Sequence, residues 1–174
     1  GVCRALMEFA ERTLRKRYVS CLLLVPETEK LAAYYETMGY VRQDSCTMQT
    51  LRIDAQQGAA AVVTPQEYAG LRETLLFDVP HTRYSKAQLD YAADDLDFYR
   101  LEQGYALGCA AVRRAGQIVE ELLPDARMLP ALAAALGAGQ YPVKTPGHGT
   151  MNCMAKWLDA EKQTAPIWLA FDFD

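Results

Sequence analysis

Gly1-Val2-Cys3-Arg4-Ala5-Leu6 opens the chain and predicts a helix that begins directly after a glycine. The N–H groups of a first helical turn have no partner within the helix, and the helix dipole favours negative charge at that end. A small residue in the third position, here Cys3, lets a phosphate group approach the backbone closely. The stretch therefore predicts a cradle for an anion, although the same pattern also begins ordinary helices.

Apolar periodicity predicts four elements in the first 56 residues. Their order is helix, strand, helix and strand, over Val2 to Arg17, Tyr18 to Val25, Glu27 to Met38 and Tyr40 to about Ile53. The first helix carries an apolar face formed by Leu6, Phe9, Ala10 and Leu14. The first strand is a continuous apolar run that ends at Pro26, which is typical of a buried strand in a parallel sheet.

A second unit is predicted from residue 57 onward, after a linker at Gln56 to Gly58. Thr64 begins a helix with proline next and glutamate three residues later, which is a capping box. Ser85, with Gln88 three residues later, caps a second helix. The remaining predicted elements are three strands, a helix, a strand, a helix and a strand, over residues 98–101, 105–112, 117–123, 130–136, 141–145, 151–158 and 166–173.

Composition excludes several classes of protein. The net charge of −4 and the absence of a dominant basic block argue against general nucleic-acid binding. Five cysteines without a paired CxxC motif, beside two histidines, predict reduced thiols and no metal site. Reduced thiols are typical of a cytoplasmic protein, which is the predicted location. No apolar run reaches the length of a membrane span, so no membrane segment is predicted.

Two motifs resemble the GCN5-related N-acetyltransferase superfamily. Gly1 to Leu6 is similar to the end of its acyl-CoA pyrophosphate motif, Gln/Arg-x-x-Gly-x-Gly/Ala, and Tyr34-Tyr35-Glu36-Thr37-Met38-Gly39-Tyr40 is similar to its aromatic-Tyr-Glu-x-x-Gly-Phe run. The resemblance implies an α/β (α+β) fold with a mixed central sheet flanked by helices. It also implies acetyl-CoA as co-substrate and a primary amine as acceptor.

The resemblance assigns roles to particular residues. Gly1, Val2, Cys3 and Arg4 would hold the diphosphate of acetyl-CoA, and Thr28 stands where the family often has an asparagine that contacts this co-substrate. Tyr35 would protonate the departing thiolate, with Tyr34 as the substitute. Each of these positions also has a plain structural interpretation: Arg4 as a solvated first-turn residue, and Tyr35 as a core aromatic on an amphipathic helix.

The general base is not identified. Glu120 and Glu121 lie on the predicted strand of the second unit where the family often has a carboxylate, but solvated or paired glutamates explain them equally. The resemblance implies that His81 lies in a loop where family members often contact the acceptor, although a loop histidine is also a common surface residue. Residues 146–149 (PGHG) predict a tight turn. The loop from Leu123 to Arg127 has no glycine and carries an acid, so it should bind a diphosphate poorly.

The four elements of the first unit match the last four elements of the second unit in order. The first unit therefore lacks the elements that begin the second unit. Residues 1–56 are therefore interpreted as the C-terminal half of one acetyltransferase domain, and residues 57–174 as a second, degenerate copy. The expectation is the C-terminal part of a longer tandem enzyme, inactive by itself if half of its first domain is missing. The alternative is a non-catalytic interaction or dimerisation module, and homodimer formation is left open.

Overall fold

The computed structural model describes residues 1–159, with Asn152 as backbone only, and residues 167–171. The chain divides into two compact units, of which unit 1 comprises Gly1–Asp44 and Met151–Pro166, and unit 2 comprises Ser45–Thr150 and Ile167–Asp174. The sequence analysis divides the chain differently, into two copies of one type of domain at residues 1–56 and 57–174. The division into compact units does not test whether these segments are copies, so that division stays a prediction.

The described residues form five α-helices and seven strands. The helices are α1 (Val2–Arg15), α2 (Glu29–Glu36), α3 (Pro65–Leu75), α4 (Lys86–Ala92) and α5 (Leu129–Leu136). The strands are β1 (Cys21–Leu24), β2 (Val41–Ile53), β3 (Ala59–Val62), β4 (Leu96–Gln103), β5 (Ala106–Arg113), β6 (Ile118–Leu123) and β7 (Gly139–Trp157). None of these helices combines the length and the apolar character that crossing a membrane requires.

Unit 2 contains a mixed sheet in the order β7-β6-β5-β4-β3. The pairs from β3 to β6 are antiparallel, whereas β6 and β7 are parallel and pair at Val119 opposite Val143. Along β5 successive side chains point to opposite faces, so Ala110 and Val112 join one core while Cys109 and Ala111 join the other. Both faces of this sheet are therefore covered.

The two cores of unit 2 use different helices. One core packs α5 against the sheet through Leu129, Leu132 and their neighbours. The other packs α3 and α4 against the opposite face and includes Trp168 from the last described segment. This arrangement confirms the predicted mixed sheet flanked by helices.

Unit 1 has a smaller core. Its buried members are Ala32 and Met38 of the α2 region, Tyr40, and Met154 of β7. In this unit β1 runs antiparallel to the end of β7, with Cys21 opposite Trp157 and Leu24 opposite Met154. The prediction of a buried, parallel-type strand at this position is wrong, because the four residues of β1 are only half-buried and their partner strand is antiparallel. An apolar run carries no information about the direction of its partner.

The capping signals in the sequence predicted helix starts correctly. Thr64 and Glu67 form a complete capping box at α3, and Ser85 and Gln88 form another at α4. Gly39, at the end of α2, adopts a φ of 84°, which is the left-handed conformation expected of a glycine at a helix end.

The largest error in the predicted elements concerns residues 141–158. The sequence predicts a strand, a Pro-Gly turn and a helix there, but β7 is one continuous strand from Gly139 to Trp157. Pairing with β1 keeps the second half of the segment extended, and prolines 142 and 146 are tolerated because a strand accepts proline where its N–H is not needed in the ladder. The predicted closing strand is also wrong in its described part, where Trp168 makes a single bridge to His81; residues 166, 172 and 173 lie outside the described residues.

The predicted apolar face of α1 is only partly correct. Ala10 and Leu14 are half-buried, whereas Leu6 and Phe9 are 64% and 60% exposed. The partly buried Met7 packs against the core of unit 1 instead. The face that a helix buries depends on the partner it meets, and the apolar pattern alone does not specify that partner.

Gly108 lies in a closely packed part of unit 2. A Cβ there would lie 2.5 Å from the carbonyl oxygen of Leu123 and 2.9 Å from the side chain of Met128. We expect Gly108→Ala to lower the free energy of unfolding by about 1–3 kcal/mol through overpacking. The matched control is Gly70→Ala, since a Cβ at that position of α3 meets nothing within 4 Å. In a helix interior this control should stabilise by about 0.5–1 kcal/mol. Urea midpoints of the two variants should shift in opposite directions, and equal shifts would contradict the packing at Gly108.

Candidate functional site

The start of α1 differs chemically from the starts of α2, α3 and α4. Thr28, Thr64 and Ser85 each accept a backbone N–H at the start of their helices, whereas Gly1 caps α1 without a side-chain hydrogen bond. The first turn of α1 contains no acidic residue, and its first backbone bond is from Ala5 N to Gly1 O, at 3.3 Å. The positive end of this helix is therefore not neutralised by an acid or a side-chain cap in its own first turn.

Arg4 joins the start of α1 to the end of α2. Its Nη2 donates to Thr37 Oγ1 at 2.7 Å, and this hydroxyl donates in turn to the carbonyl oxygen of Tyr34 at 2.7 Å. The guanidinium carbon lies 5.9 Å from the centroid of the Tyr34 ring. The structure thus brings the two sequence motifs together within unit 1, and Thr37 is a contact that sequence reasoning missed.

Tyr35 faces a different neighbour from Tyr34. Its ring lies 5.8 Å from the ring of Tyr40 in an edge-on arrangement and is half-buried beside the unit 1 core. Burial, together with the nearby Glu11 carboxylate, raises the pKa of Tyr40 to about 12. Tyr40 therefore keeps its proton at neutral pH, and it packs against Tyr35 as an uncharged ring.

Thr28 has a local role. Its hydroxyl accepts a hydrogen bond from the backbone N–H of Leu31 at 3.3 Å and caps α2. A hydroxyl oxygen can accept a second hydrogen bond and donate one, so this role leaves the predicted contact with the co-substrate a prediction.

The five cysteines differ in exposure, and Cys21 is half-buried. Cys3 is exposed in the first turn of α1, whereas Cys46, Cys109 and Cys153 are buried. Burial raises the pKa of the Cys153 thiol to about 12 and raises that of Cys109 well above its usual value. Because the thiolate is the reactive form, Cys3 should react with alkylating reagents in preference to the buried thiols.

Glu120 is a paired residue on β6. It is 4% exposed, accepts from Arg113 Nε at 2.7 Å and accepts from Lys144 Nζ at 2.5 Å. It lies at an irregularity of the sheet, where Ala111 is opposite Glu121 and Val112 is opposite Val119. Its two cationic partners agree with the interpretation of a paired glutamate.

Glu121 is fully buried and is not solvated. Its carboxylate accepts from the Tyr68 hydroxyl, from Arg72 Nε at 3.0 and 3.1 Å, and from the indole Nε1 of Trp168 at 2.5 Å. Burial and the charge of Glu121 raise the pKa of Tyr68 well above its usual value, so its hydroxyl remains a donor. Sequence reasoning missed Arg72, although its position four residues after Tyr68 on α3 places both side chains on one helix face.

His81 and the segment with His148 lie elsewhere in unit 2. The imidazole of His81 lies between the carbonyl oxygen of Val79, 2.6 Å from Nδ1, and the Glu73 carboxylate, 3.2 Å from Nε2. The predicted tight turn at residues 146–149 is wrong, since these residues belong to β7 and the backbone of His148 exchanges hydrogen bonds with the Thr47 hydroxyl. In the part of the chain that the structure describes, no three metal-ligating side chains converge.

The fold resembles a known one, although neither sequence-based comparison finds a relative. No protein-family model and no curated protein matches the chain. Among solved structures, a GCN5-related N-acetyltransferase from Anabaena variabilis matches with a TM-score of 0.59 at 13% identity, over 90% of this chain and 50% of that one. This chain therefore spans half the length of that neighbour and resembles an acetyltransferase in fold.

Proposed function

We propose that unit 1 carries the co-substrate half of an N-acetyltransferase site, which binds acetyl-CoA and transfers its acetyl group to a primary amine. The observation that carries the proposal is the first turn of α1, which lacks a side-chain cap and an acid and contains Arg4 bonded to the end of α2. An uncapped helix start beside a cation favours an anionic group such as a diphosphate. The fold likeness to an acetyltransferase supports the same function.

The residues of unit 1 would have two roles, which are binding of the co-substrate and protonation of the leaving sulfur. The backbone N–H groups of Val2, Cys3 and Arg4 would bind the diphosphate, with Thr28 as a further contact. Tyr35 would give its proton to the sulfur that leaves as the acceptor nitrogen bonds to the acetyl carbon. A free thiol has a pKa of roughly 8.5 and a tyrosine roughly 10, so this transfer is feasible at close range. Orientation of the two substrates would contribute most of the rate.

The corresponding loop of unit 2 supports the assignment of co-substrate binding to unit 1. There the Asp125 carboxylate accepts from the backbone N–H of Arg127 at 2.9 Å and pairs with its guanidinium at 2.6 Å. An acid at this position repels a diphosphate. We therefore propose that residues 57–174 are a degenerate copy that does not bind the co-substrate, in a cytoplasmic enzyme.

A second candidate function is a non-catalytic interaction module. Val2, Leu6 and Phe9 lie along one side of α1 and are 87%, 64% and 60% exposed. A row of exposed apolar side chains on a helix is typical of an interaction surface. In that case the chain would associate with a partner or a second copy and would not bind coenzyme A.

A test of coenzyme A binding distinguishes between the two candidate functions. At a hundredfold excess over its Kd, a ligand of the folded state stabilises it by about 2.7 kcal/mol, which raises the melting temperature by several degrees. We expect this rise for the acetyltransferase, together with slower alkylation of Cys3 by iodoacetamide at pH 8. Cys109 and Cys153 should be unreactive with or without ligand, because burial raises their pKa. A folded protein that shows neither the thermal shift nor the protection of Cys3 would favour the interaction module.

Two substitutions of Gly1 that differ only in charge test whether the start of α1 binds an anion. A Cβ at Gly1 meets nothing within 4 Å, so larger residues fit there without a clash. We expect Gly1→Glu to leave the melting temperature unchanged or slightly higher, since an acid suits a helix start, and to weaken coenzyme A binding by about tenfold or more. Gly1→Gln has the same size without the charge and should bind considerably better. Equal losses in both variants would indicate a steric effect and would contradict an anion site.

A further inference from the structure

Tyr18 ends the α1 region in a backbone conformation that favours glycine. The Val19 N–H donates to the carbonyl oxygen of Leu14, and the Tyr18 N–H donates to that of Arg15, both at 3.1 Å. These two bonds form a Schellman motif, in which the position of Tyr18 is usually occupied by glycine. Tyr18 has a φ of 60° and is 95% exposed. The chain therefore holds an aromatic ring in solvent at a cost in stability, which is typical of a residue that contacts another molecule.

Exposed cations precede this ring in the sequence. Of the 18 lysines and arginines in the chain, four lie within residues 12–17, a segment that contains no acid. Arg12, Lys16 and Arg17 are exposed, and none of them forms an ion pair within the part of the chain that the structure describes. Their charges are therefore available to an anion from another molecule.

The helix dipole does not account for all of these cations. A cation in the last turn of a helix is favoured by the dipole, and Arg12 and Arg15 lie in the last turn of α1. The Arg15 guanidinium also donates to the carbonyl oxygen of Leu158. Lys16 and Arg17 follow the last residue of α1, where this role is already filled.

The four residues Arg12, Lys16, Arg17 and Tyr18, which we call the basic patch, lie close together in unit 1. Lys16 keeps helical backbone angles, with a φ of −66° and a ψ of −17°, so its side chain lies one turn beyond that of Arg12 on the same side. Arg17 directly precedes Tyr18. Guanidinium groups bind carboxylates through paired hydrogen bonds, and an exposed ring offers an apolar surface beside them.

We propose that the basic patch is a docking surface for a short acidic segment of a partner protein. Carboxylates of that segment bind the three cations, and one of its apolar side chains packs on the Tyr18 ring. This inference goes beyond acetyl transfer and does not depend on it, because the basic patch and Gly1 lie at opposite ends of α1.

Charge complementarity favours this partner over three others. A nucleic-acid duplex or an anionic bilayer extends beyond the basic patch, and it would face a chain whose net charge is −4. A second copy of the chain in a symmetric contact would place the same cations opposite each other. A short acidic segment meets the cations alone.

The first experiment neutralises the basic patch. The probe is a fluorescein-labelled peptide of glutamates and leucines, and its uncharged match has glutamine in place of glutamate. We expect the chain to bind the acidic peptide, with an affinity that falls as salt rises. The triple variant Arg12→Gln/Lys16→Gln/Arg17→Gln should lose about tenfold in affinity. Unchanged affinity in this variant, no binding of the acidic peptide, or equal binding of the two peptides would overturn the proposal.

A second triple variant changes the net charge by the same amount. Arg52→Gln/Arg83→Gln/Arg100→Gln removes exposed arginines that pair with acids in unit 2. We expect this variant to bind the acidic peptide as the unsubstituted chain does. Equal losses in the two triple variants would indicate attraction by net charge alone. That result, or tighter binding of duplex DNA or of phosphatidylserine vesicles than of the peptide, would overturn the proposal.

Substitution of Tyr18 separates stability from binding. We expect Tyr18→Gly to raise the melting temperature by about 2–4 °C, because glycine adopts the left-handed conformation without strain. The same variant should bind the acidic peptide about fivefold more weakly, since the apolar contact is lost. Tyr18→Phe keeps the ring and should retain the affinity. Unchanged affinity in Tyr18→Gly, or a lower melting temperature, would overturn the proposal.

Discussion

Arg72→Met is expected to lower the free energy of unfolding of unit 2 by about 3–5 kcal/mol, since removal of one partner leaves the other charge buried without compensation. Arg72 is 1% exposed and Glu121 is 0% exposed, so water cannot replace the lost guanidinium. Methionine keeps most of the side-chain volume, which limits the contribution of a cavity. Denaturant unfolding followed by circular dichroism measures the change.

An exposed arginine of the same region is the control. Arg83 pairs with Glu73 at 2.9 Å, but its side chain is 83% exposed. We expect Arg83→Met to cost less than about 1 kcal/mol, because surface ion pairs contribute little. The double variant Arg72→Met/Glu121→Gln should recover part of the loss, since glutamine is uncharged and can still accept hydrogen bonds. Similar losses of unfolding free energy in Arg72→Met and Arg83→Met would show that the buried ion pair contributes no more to stability than the exposed one.

Tyr35→Phe is expected to lower kcat for acetyl transfer by about 10²–10⁴-fold and to leave the KM for acetyl-CoA nearly unchanged. The hydroxyl would act on the departing sulfur, so its loss affects the chemical step and not the binding of the diphosphate at α1. Phenylalanine keeps the ring that packs edge-on against Tyr40 at 5.8 Å. Steady-state kinetics in a chain shown to bind coenzyme A measures both constants.

Tyr34→Phe is the matched variant, because the two tyrosines are adjacent on α2 and have different neighbours. Tyr34 lies under the guanidinium of Arg4, and phenylalanine retains that ring contact. We expect a small change in both constants. A large loss of kcat in Tyr34→Phe with normal Tyr35→Phe would make Tyr34 the acid, and normal kcat in both would exclude acid catalysis by this pair.

Features whose causes lie within a few residues could be predicted. The capping boxes at Thr64 and Ser85 each involve a partner three residues later, and the left-handed glycine at the end of α2 follows directly from its helix. The three strands β4, β5 and β6 were predicted for a similar reason, since glycine turns separate them. The resemblance of two short motifs led to the acetyltransferase fold, which the structural neighbour supports in outline.

Features that depend on distant partners could not be predicted. The burial of Arg72 requires Glu121, which is 49 residues further along the chain. The second half of β7 resembles a helix by its pattern, and its extended form depends on pairing with β1. For the candidate site, the sequence indicated Gly1 to Arg4 and Tyr35, whereas the Arg4–Thr37 bond links residues 33 positions apart.

The sequence by itself therefore determined the helix starts at Thr64 and Ser85, the glycine turns between β4, β5 and β6, and the chemical character of the first turn of α1. These follow from local hydrogen bonds and backbone conformation, which a few neighbouring residues specify. Only the tertiary structure decided which face of α1 is buried, where Glu121 finds its three donors and what Trp168 contacts. Such choices depend on the desolvation of charged groups, and whether a charge can be buried is determined by partners that the fold brings from elsewhere in the chain.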